Sequence, residues 1–484
     1  MPFEPTLLVL VPELVLVALA ALIMFLDVTW PEARKRTLAL FTATGFGLAL
    51  VTLLVFARPA PEATLIFGGM LRHDSVTFLF RVLFMVSGLF TALLSVDTPG
   101  LERRGDYFAI LIIAVFGMNF MAASADLMML YLAVETTSIA LYMLAGYLRE
   151  TDKSTESGLK YFLFGAFTST VMLYGFSLVF GFTGQTNLYA ISATIGSGSV
   201  PAPALFVALM LILVGFGFKI AAVPFHFWAP DVYEGAPTPV TAFISVASKA
   251  AGFAVLMRVL LSAFNFPAVQ DYWVPLIAVM SAFTMTLGNT IALTQKNIKR
   301  LLAYSSIAQA GYALAGLAAV SPAGMAAVMF YLLMYTLTNL AAFGVVILAS
   351  RVLGSDEIKD YAGLSRRSPG LALAFMVAFL SLSGMPPLGG FVGKFFIFAA
   401  VIEQGPHLYW LAFVGIINAI VGLYYYMTIL KVVYLYRSEN DHEPIPVPRA
   451  YAVTLWVCSL GVIVMGIIAS PWLTWATQAA DNLF

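Results

Sequence analysis

Long apolar stretches alternate with short polar joints along almost the whole chain. A helix needs roughly 20 mostly apolar residues to cross the hydrocarbon core of a bilayer, and the sequence contains about fourteen such stretches. This pattern predicts an all-α polytopic integral membrane protein. We expect its transmembrane helices at approximately 6–26, 38–57, 76–96, 107–123, 126–148, 160–182, 203–227, 239–263, 272–294, 300–319, 323–350, 370–402, 408–436 and 451–473.

The composition excludes whole classes of function. Of the 484 residues, 61% are hydrophobic and 10% are charged, whereas a soluble domain has about 25% charged residues. A soluble enzyme, a nucleic-acid-binding protein and a disordered chain are therefore ruled out. The formal net charge is zero, which gives no attraction to polyanions, and the single cysteine, Cys458, cannot form a disulfide framework or a cysteine-ligated cluster.

The basic residues in the joints predict the orientation of the chain. If the joint with Arg34, Lys35 and Arg36 faces the cytoplasm, most of the 25 lysines and arginines lie in cytoplasmic joints, and only Arg58 and Arg72 lie in outer ones. Cytoplasmic loops of membrane proteins carry this excess of basic residues. Both termini are then expected on the outer side.

Four ionisable residues lie near the ends of their apolar stretches. They are Glu13, Arg81, Arg258 and Lys431. Long side chains in such positions can extend to the membrane interface. We interpret these four as structural residues at the membrane boundary.

Four further ionisable residues lie too deep for this. They are Glu135, Lys219, Lys249 and Lys394, each on a different predicted helix. A buried ion pair with Glu135 explains one lysine, but it leaves the other two without an acidic partner. Burial without a counter-charge disfavours the protonated form of lysine, so such a group can bind and release protons. Ionisable residues inside a membrane commonly mark an ion path, and we expect these four to move protons or cations.

Two further ionisable residues, Lys160 and His226, each allow two interpretations. Lys160 begins the sixth predicted helix, where it either anchors that helix at the interface or lies beside Glu135 and modulates it. His226 is either a structural histidine or part of a proton relay, because imidazole titrates near neutral pH. The sequence has no metal-ligand spacing, phosphate-binding loop, dinucleotide fingerprint or nucleophile triad, so any redox reaction is expected on another chain.

Proline interrupts two of the predicted helices. The seventh contains Pro224 five residues after Lys219, and the twelfth contains Pro386 and Pro387 before Lys394. Proline removes a helical hydrogen bond, so both helices should break inside the membrane, unless they are kinks for packing. Paired breaks in two halves of a chain indicate the ion path of a transporter.

The spacing of the two breaks also predicts internal repeats. Helices 4–8 and 9–13 are expected to form two repeats of five helices, and the odd number inverts the second repeat relative to the first. The whole chain is treated as a single membrane domain. Its predicted parts are three N-terminal helices in 1–105, the first repeat in 106–265, the second repeat in 270–437 and a C-terminal helix in 450–484.

Uncharged polar residues recur within helices 10, 11 and 13. Serine and threonine in a helix often bond only to their own backbone, and the alternative is that these residues line a hydrated path. They are Tyr304, Ser305, Ser306, Thr336, Thr338, Asn339 and Asn418.

Three sequence motifs resemble those of the antiporter-like membrane subunits of respiratory complex I. They are PFHFWAPDVYEGAPTPVTAF at Pro224–Phe243, NIKRLLAYSSIAQAGY at Asn297–Tyr312 and SLSGMPPLGGFVGKF at Ser381–Phe395. The first motif, together with Lys249 in ISVASKAAG, most resembles the subunit N family, and the number of helices suits the bacterial form. The same superfamily contains the Mrp cation/proton antiporters.

The resemblance implies roles for the matching residues. Glu135 and Lys219 would form a pair whose association changes during turnover. Lys249 would be the central relay, and Lys394 would be the terminal lysine. The chain would then be a proton-translocating subunit of NADH:quinone oxidoreductase that has no redox centre of its own.

The resemblance also implies partners and a location. Lys160 and His226 match positions that assist the relay. FMN, iron–sulfur clusters, NADH and quinone are expected in partner subunits, and the partners include other membrane and peripheral subunits of complex I and paralogous antiporter-like subunits. We expect the chain in the inner (plasma) membrane of a bacterium, with periplasmic termini. The alternatives are a redox-independent cation/proton antiporter, a related complex with another electron donor such as ferredoxin, and a purely structural membrane subunit.

Overall fold

The computed structural model describes residues 5–60, 62–439 and 441–484, and most of them are helical. The predicted outer position of the N-terminus falls on residues 1–4, outside the described residues. A π-helical segment occupies Ile244–Ser248, and 3₁₀ turns occupy Ile358–Tyr361 and Pro406–Leu408. A small antiparallel hairpin pairs strands β1 (Thr64–Ile66) and β2 (Leu71–His73). The α-helices are α1 Pro5–Leu8, α2 Val11–Thr29, α3 Glu32–Lys35, α4 Leu38–Phe56, α5 Ser75–Leu94, α6 Gly105–Ala123, α7 Leu127–Ala145, α8 Asp152–Thr183, α9 Leu188–Gly196, α10 Ala202–Ile220, α11 Trp228–Gly235, α12 Thr238–Phe243, α13 Lys249–Ala263, α14 Pro267–Ala292, α15 Ile298–Ala318, α16 Pro322–Leu353, α17 Leu364–Arg367, α18 Pro369–Ser383, α19 Gly389–Glu403, α20 Tyr409–Leu435, α21 Arg449–Ile467 and α22 Ser470–Asp481.

The helices confirm the all-α polytopic class. Among the described residues, 13 helical segments are long and apolar enough to cross a membrane, and α12, the π-helical segment and α13 form one of them. The predicted twelfth helix, 370–402, is instead two helices of 15 residues each, α18 and α19. The predicted seventh helix ends at Ile220 and continues after the break as α11. Both breaks lie at the prolines that predicted them.

One backbone arrangement occurs twice in the chain. Asp126 caps α7 and Asn297 caps α15, each by accepting two backbone N–H bonds. Each cap residue also forms a short antiparallel bridge with the chain beyond the next helix, Asp126 with Asn187 and Asn297 with Glu357. The intervening helices, α8 and α16, both have 32 residues and end at a glycine with a φ of 65°. This duplication, five predicted spans apart, supports the predicted repeats, whose boundaries stay a prediction.

The chain divides into two compact units. The first comprises Met1–Ile220, Ala247–Leu276 and Thr477–Phe484, and the second comprises Ala221–Val246 and Ile277–Ala476. The predicted relay and assisting residues are divided between them. The first unit contains Glu135, Lys160, Lys219 and Lys249, and the second contains His226 and Lys394.

Glycine lets α7 and α8 approach closely in the first unit. A Cβ atom built on Gly158 would lie 2.7 Å from the Cα of Gly146, which is closer than any side chain tolerates. Small residues allow such close contact between membrane helices. The approach brings Glu135 on α7 next to Ser169 on α8.

Three of the residues that were expected to extend to the membrane interface, Glu13, Arg81 and Arg258, are instead buried in ion pairs, so that expectation was wrong for them. Arg81 donates from Nε to Oε1 of Glu13 at 3.0 Å, and Arg258 donates to both carboxylate oxygens of Asp74 at 2.8 and 2.9 Å. All four side chains are buried. Depth along a helix does not reveal which face meets a neighbouring helix, and the partner Asp74 lies in a joint. Lys431, by contrast, is exposed.

Candidate proton pathway

Glu135 and Lys219 belong to one polar cluster inside the first unit. Ser169 on α8 donates a short hydrogen bond to Oε1 of Glu135. The ammonium of Lys219, near the end of α10, donates to the hydroxyl of Ser138 at 2.9 Å. Ser138 lies one turn after Glu135 on α7, so three helices contribute to this cluster. It joins an acid and a base through small hydroxyl groups.

The acid and the base of this cluster are near each other without touching. Within the described ranges 5–60, 62–439 and 441–484, no direct ion pair joins Glu135 to Lys219. The Glu135 carboxylate still acts electrostatically on the Lys219 ammonium. A charge change on either group therefore changes the energy of the other.

Lys249 occupies a special position on its helix. It is the first residue of α13 and directly follows the π-helical segment Ile244–Ser248. Single π-helical turns inside α-helices are frequent at functional sites. Three residues later, a Cβ atom built on Gly252 would lie 3.3 Å from Cγ of Lys219, so α13 and α10 cross closely at this point. The structure thus brings the helices of these two lysines together in the first unit.

The two residues with open roles lie in different surroundings. Lys160 pairs with Glu156 one turn earlier on α8, with Nζ and Oε1 2.6 Å apart, and its side chain is 36% exposed. His226 lies in the break between α10 and α11 and is buried. In the part of the chain that the structure describes, its Nδ1 has no hydrogen-bond partner. Their assisting roles stay predictions.

Lys394 is held by the broken helix of the second unit. Its ammonium donates to the backbone carbonyl of Leu382 at 2.7 Å and lies 4.3 Å from the centre of the Tyr312 ring. The carbonyl is available because α18 ends at Ser383, and Gly384 follows with a φ of 87°. Among the residues that the structure describes, no carboxylate pairs with this lysine. Within the described part of the chain, the groups that stabilise its charge are one carbonyl oxygen and an aromatic face.

A buried hydrogen-bond network extends from the Leu382 carbonyl. Gln309 donates to this same carbonyl at 3.1 Å and to the hydroxyl of Tyr426 at 3.1 Å. The hydroxyl of Tyr331 donates a short bond to Oε1 of Gln309. Ser305, one turn before Gln309, is also bonded to Tyr426. Lys394 and Gln309 thus donate to the same carbonyl oxygen. Through this oxygen the lysine is connected to the hydrogen-bonded side chains around Gln309.

A second buried network is centred on Ser306, the residue after Ser305 on α15. The hydroxyl of Tyr335 donates to Ser306 at 2.8 Å, and Tyr233 is 3.3 Å from the same oxygen. Asn339, one turn after Tyr335, donates to the hydroxyl of Ser245 at 2.8 Å. Ser245 belongs to the π-helical segment that precedes Lys249 in the chain. The second unit therefore contains buried polar groups that lead from α15 to this segment.

The polar residues singled out in the sequence differ in their hydrogen-bond partners. Ser305, Ser306 and Asn339 belong to the two networks, whereas Thr336 bonds to the carbonyl of Leu332 in its own helix. Thr338 bonds to its own helix and also to the hydroxyl of Ser381 on α18, and Asn418 bonds to Asn289 and Thr286.

Sequence reasoning missed most of the groups in the two networks and a third set around Asn289. The network groups are Tyr233, Gln309, Tyr331, Tyr335 and Tyr426, and the third set is Asn289 with Tyr312 and Tyr425. A signal was present in the four-residue spacing of Ser305 with Gln309 and of Tyr331 with Tyr335, which puts each pair on one helix face. In the sequence these tyrosines are indistinguishable from ordinary core residues, because their rings are large and apolar.

Known proteins share the sequence of this chain. Residues 124–421 match the family model described as NADH:quinone oxidoreductase/Mrp antiporter, TM. A protein of Chloroherpeton thalassium named NADH-quinone oxidoreductase subunit N 2 is 42% identical over 443 residues, which covers 90% of this chain and 86% of the relative. A protein of Anaeromyxobacter sp. strain Fw109-5 named NADH-quinone oxidoreductase subunit N is 42% identical over 502 residues, which covers 98% of this chain and 96% of the relative.

Solved structures share its fold. A chain of respiratory complex I from Thermus thermophilus matches with a TM-score of 0.79 and 32% identity, covering 96% of this chain and 98% of that one. A chain of the Mrp complex from Dietzia sp. DQ12-45-1b matches with a TM-score of 0.87, covering 100% of this chain and 98% of that one. Its identity is 20%, so this second match shows the common fold alone.

Proposed function

The chain belongs to the family of NADH-quinone oxidoreductase subunit N, the antiporter-like proton-translocating membrane subunits of complex I, and from this premise we propose how it moves protons. The proton relay consists of Glu135, Lys219, Lys249 and Lys394. Lys160 and His226 assist it, and their contribution is expected to be smaller.

The hydrogen bonds of two buried lysines carry this proposal. Lys219 donates to Ser138 and Lys394 donates to the Leu382 carbonyl, and both acceptors are neutral oxygens. An ammonium group that is buried without a bonded carboxylate is less stable than one in water. Each lysine can therefore give up its proton and take another without breaking a strong ion pair, which a relay requires.

The carboxylate of Glu135 gives the relay a means of control. When Glu135 approaches Lys219 as a carboxylate, it stabilises the ammonium form of the lysine. When it withdraws or takes a proton, the lysine loses this stabilisation and releases its own proton. The chain has one cysteine, Cys458, and cannot supply the cysteine ligands of an iron–sulfur cluster. Electron transfer therefore has to act on the relay through neighbouring subunits.

The partners and the location belong to the same proposal. FMN, iron–sulfur clusters, NADH and quinone are bound by other subunits of the complex, and paralogous antiporter-like subunits lie in the same membrane arm. The complex is in the inner membrane of a bacterium, and both termini of this chain are periplasmic. The excess of basic residues in alternate joints supports this orientation.

A second candidate function is cation/proton antiport without redox input. The shared fold with the Mrp complex favours it, and a related complex with a donor such as ferredoxin is a variant of the first candidate. Purification of the native complex through a tag on this chain separates these cases. We expect flavin, iron–sulfur absorbance and NADH oxidation to accompany the chain. Purification of the complex without any redox cofactor would refute the oxidoreductase assignment, and ferredoxin oxidation without NADH oxidation would identify another donor.

The relay is tested by removing its terminal lysine. We expect Lys394→Ala to lower NADH-driven acidification of inverted membrane vesicles, because the proton loses its binding site beside the Leu382 carbonyl. Lys431→Ala is the matched control, since Lys431 is an exposed lysine on another membrane helix, and it should leave acidification unchanged. A native gel establishes that both complexes assemble. Equal acidification by the two assembled variants would remove Lys394 from the relay.

A further inference from the structure

A set of buried polar residues in the first unit lies outside the relay. It consists of Glu13, Asp74, Arg81, Asn119 and Arg258, which we name the ionic belt. All five side chains are buried, and they come from four helices and one helix cap. Burial of a charged group costs free energy unless hydrogen-bond partners replace its hydration. A buried set of this size therefore indicates a specific structural role.

The first half of the belt joins three helices at one carboxylate. Glu13 on α2 accepts hydrogen bonds from Nε of Arg81 on α5 at 3.0 Å and from Nδ2 of Asn119 on α6 at 2.9 Å. A second, shorter bond joins Arg81 to the other oxygen of Glu13. Arg81 also donates to the carbonyl of Val9 at 3.0 Å. The N-terminal helix α2 is thus bonded to α5 and α6 through charged groups.

The second half of the belt joins α5 and α6 to the helix of Lys249. Arg258 on α13 donates to the two carboxylate oxygens of Asp74 at 2.8 and 2.9 Å, and Asp74 is the cap residue of α5. The same arginine donates to the hydroxyl of Thr77 at 3.0 Å and, through Nε, to the carbonyl of Ala122 at 3.0 Å. Ala122 lies in the last turn of α6. One guanidinium group therefore binds the start of α5 and the end of α6 together.

The two halves meet on the same helix faces. On α5 the belt uses positions 74, 77 and 81, and on α6 it uses positions 119 and 122, spacings that put each set on one side of its helix. Arg258 lies nine residues after Lys249 on α13, which is about 13 Å along a helix that rises 1.5 Å per residue. A guanidinium with four bonds fixes both the height and the rotation of that helix.

Asp74 remains charged in this environment. Burial by itself would raise the pKa of its carboxyl group, but the charge and hydrogen bonds of Arg258 outweigh burial, and the pKa lies below its ordinary value. Nε of Arg72 adds a third cationic contact at 3.0 Å from Oδ2 of Asp74. The carboxyl group of Asp74 is therefore ionised near neutral pH, where it forms the bidentate pair with Arg258.

We propose that the ionic belt positions Lys249 for proton transfer by tying α13 to α5 and α6, and through them to α2. Arg258 and Asp74 are positioning residues, and they act on the proton only through Lys249. Buried ion pairs of this kind can define one register of packed elements where apolar contacts would allow several. This inference rests on the proposed role of Lys249 in the relay.

The test measures protons pumped per NADH oxidised by the intact complex with Asp74→Asn, with Lys249→Ala and with both changes. We expect Asp74→Asn to lower this ratio by about twofold or more, because α13 loses its bidentate anchor. In the Lys249→Ala background the same change should have no further effect, because the residue that the belt positions is gone. A role in stability alone would lower the amount of complex and leave the ratio unchanged.

Two further variants keep the test decisive. If Asp74→Asn prevents assembly, Thr77→Val replaces it, since this change removes one bond to Arg258 and keeps the shape of the side chain. Glu32→Gln is the control, because it breaks an exposed ion pair with Lys35 in the same unit and should leave the ratio unchanged. Arg258→Lys should retain more pumping than Arg258→Ala.

The outcomes separate the belt from the relay. A normal ratio in Lys249→Ala would overturn the relay and with it the belt's purpose. A lowered ratio in Lys249→Ala together with normal ratios in Asp74→Asn and Thr77→Val would overturn the belt alone. Additive losses in the double variant would also overturn it, because the belt would then act on pumping by a route other than Lys249.

Discussion

Lys394 shows how a membrane protein holds a charge without a counter-ion. The helix break after Ser383 leaves the carbonyl of Leu382 without its helical partner, and the ammonium group of Lys394 takes that place. The ammonium group also lies over the Tyr312 ring, 4.3 Å from its centre. Such a site satisfies the ammonium by dipoles alone, so loss of the proton leaves no unpaired carboxylate behind.

At the residue scale, we expect the uncharged Gln309 to contribute both to stability and to proton pumping. Gln309→Leu removes the donor to the Leu382 carbonyl and to Tyr426, and it leaves the Tyr331 hydroxyl without its acceptor. We expect stability to fall by about 1–3 kcal/mol, because buried polar groups are left unsatisfied. We also expect fewer protons pumped per NADH in inverted vesicles.

The matched control for Gln309 is Thr336→Val. The hydroxyl of Thr336 is buried and bonds to the carbonyl of Leu332 in its own helix, so its removal breaks no contact between helices. Pumping by this variant should equal that of the unaltered complex. If both variants pump normally, the network around Gln309 has no part in proton transfer.

Residue type and depth predicted only part of this chemistry. Lys219, Lys249 and Lys394 are recognisable in the sequence because a lysine inside an apolar stretch is rare. The partners were not recognisable, because Ser138 and the Leu382 carbonyl become acceptors only when helices pack together. The depth of Arg81 and Arg258 along their helices led to a wrong prediction for the same reason. A residue near a helix end can face a neighbouring helix as well as the membrane interface.

At the scale of elements, the contact between α7 and α8 controls the position of Glu135. Gly158→Leu should force the two helices apart, because even a Cβ atom at this position lies 2.7 Å from the Cα of Gly146. We expect a loss of about 1–3 kcal/mol in stability from overpacking and a lower proton-pumping ratio as Ser169 moves away from Glu135.

Another glycine of α8 provides the control. A Cβ atom on Gly181 meets no atom within 4 Å, so Gly181→Leu should change neither assembly on a native gel nor pumping. Should Gly158→Leu pump normally in an assembled complex, the close approach of α7 and α8 would be unnecessary for the relay.

Elements were predictable where their cause is local. Proline removes a helical hydrogen bond, and glycines accompany Pro386 and Pro387, so the interruptions near Pro224 and Pro386 could be predicted from the sequence. Proline alone is not sufficient, because Pro275 lies inside the continuous helix α14. The helix ends were less accurate: α8 begins at Asp152, whereas the apolar stretch begins at 160. Polar turns continue a membrane helix beyond the hydrocarbon region, and hydropathy does not register them. The π-helical segment before Lys249 has no local signal either.

At the scale of the whole molecule, duplication supplies two sets of polar groups. Each copy has a capped helix, a bridge to the chain beyond a helix of 32 residues and a proline-containing break near a buried lysine. The sequence revealed this duplication through the five-helix spacing of the breaks.

The most direct test of the relay is the number of protons pumped per NADH oxidised by the assembled complex that carries Lys219→Ala. The purified complex is reconstituted into liposomes, and a pH-sensitive dye is followed together with NADH absorbance. We predict a lower ratio, with unchanged oxidation of NADH by a soluble artificial acceptor, because that reaction bypasses the membrane subunits. An unaltered ratio in the assembled Lys219→Ala complex would contradict the account.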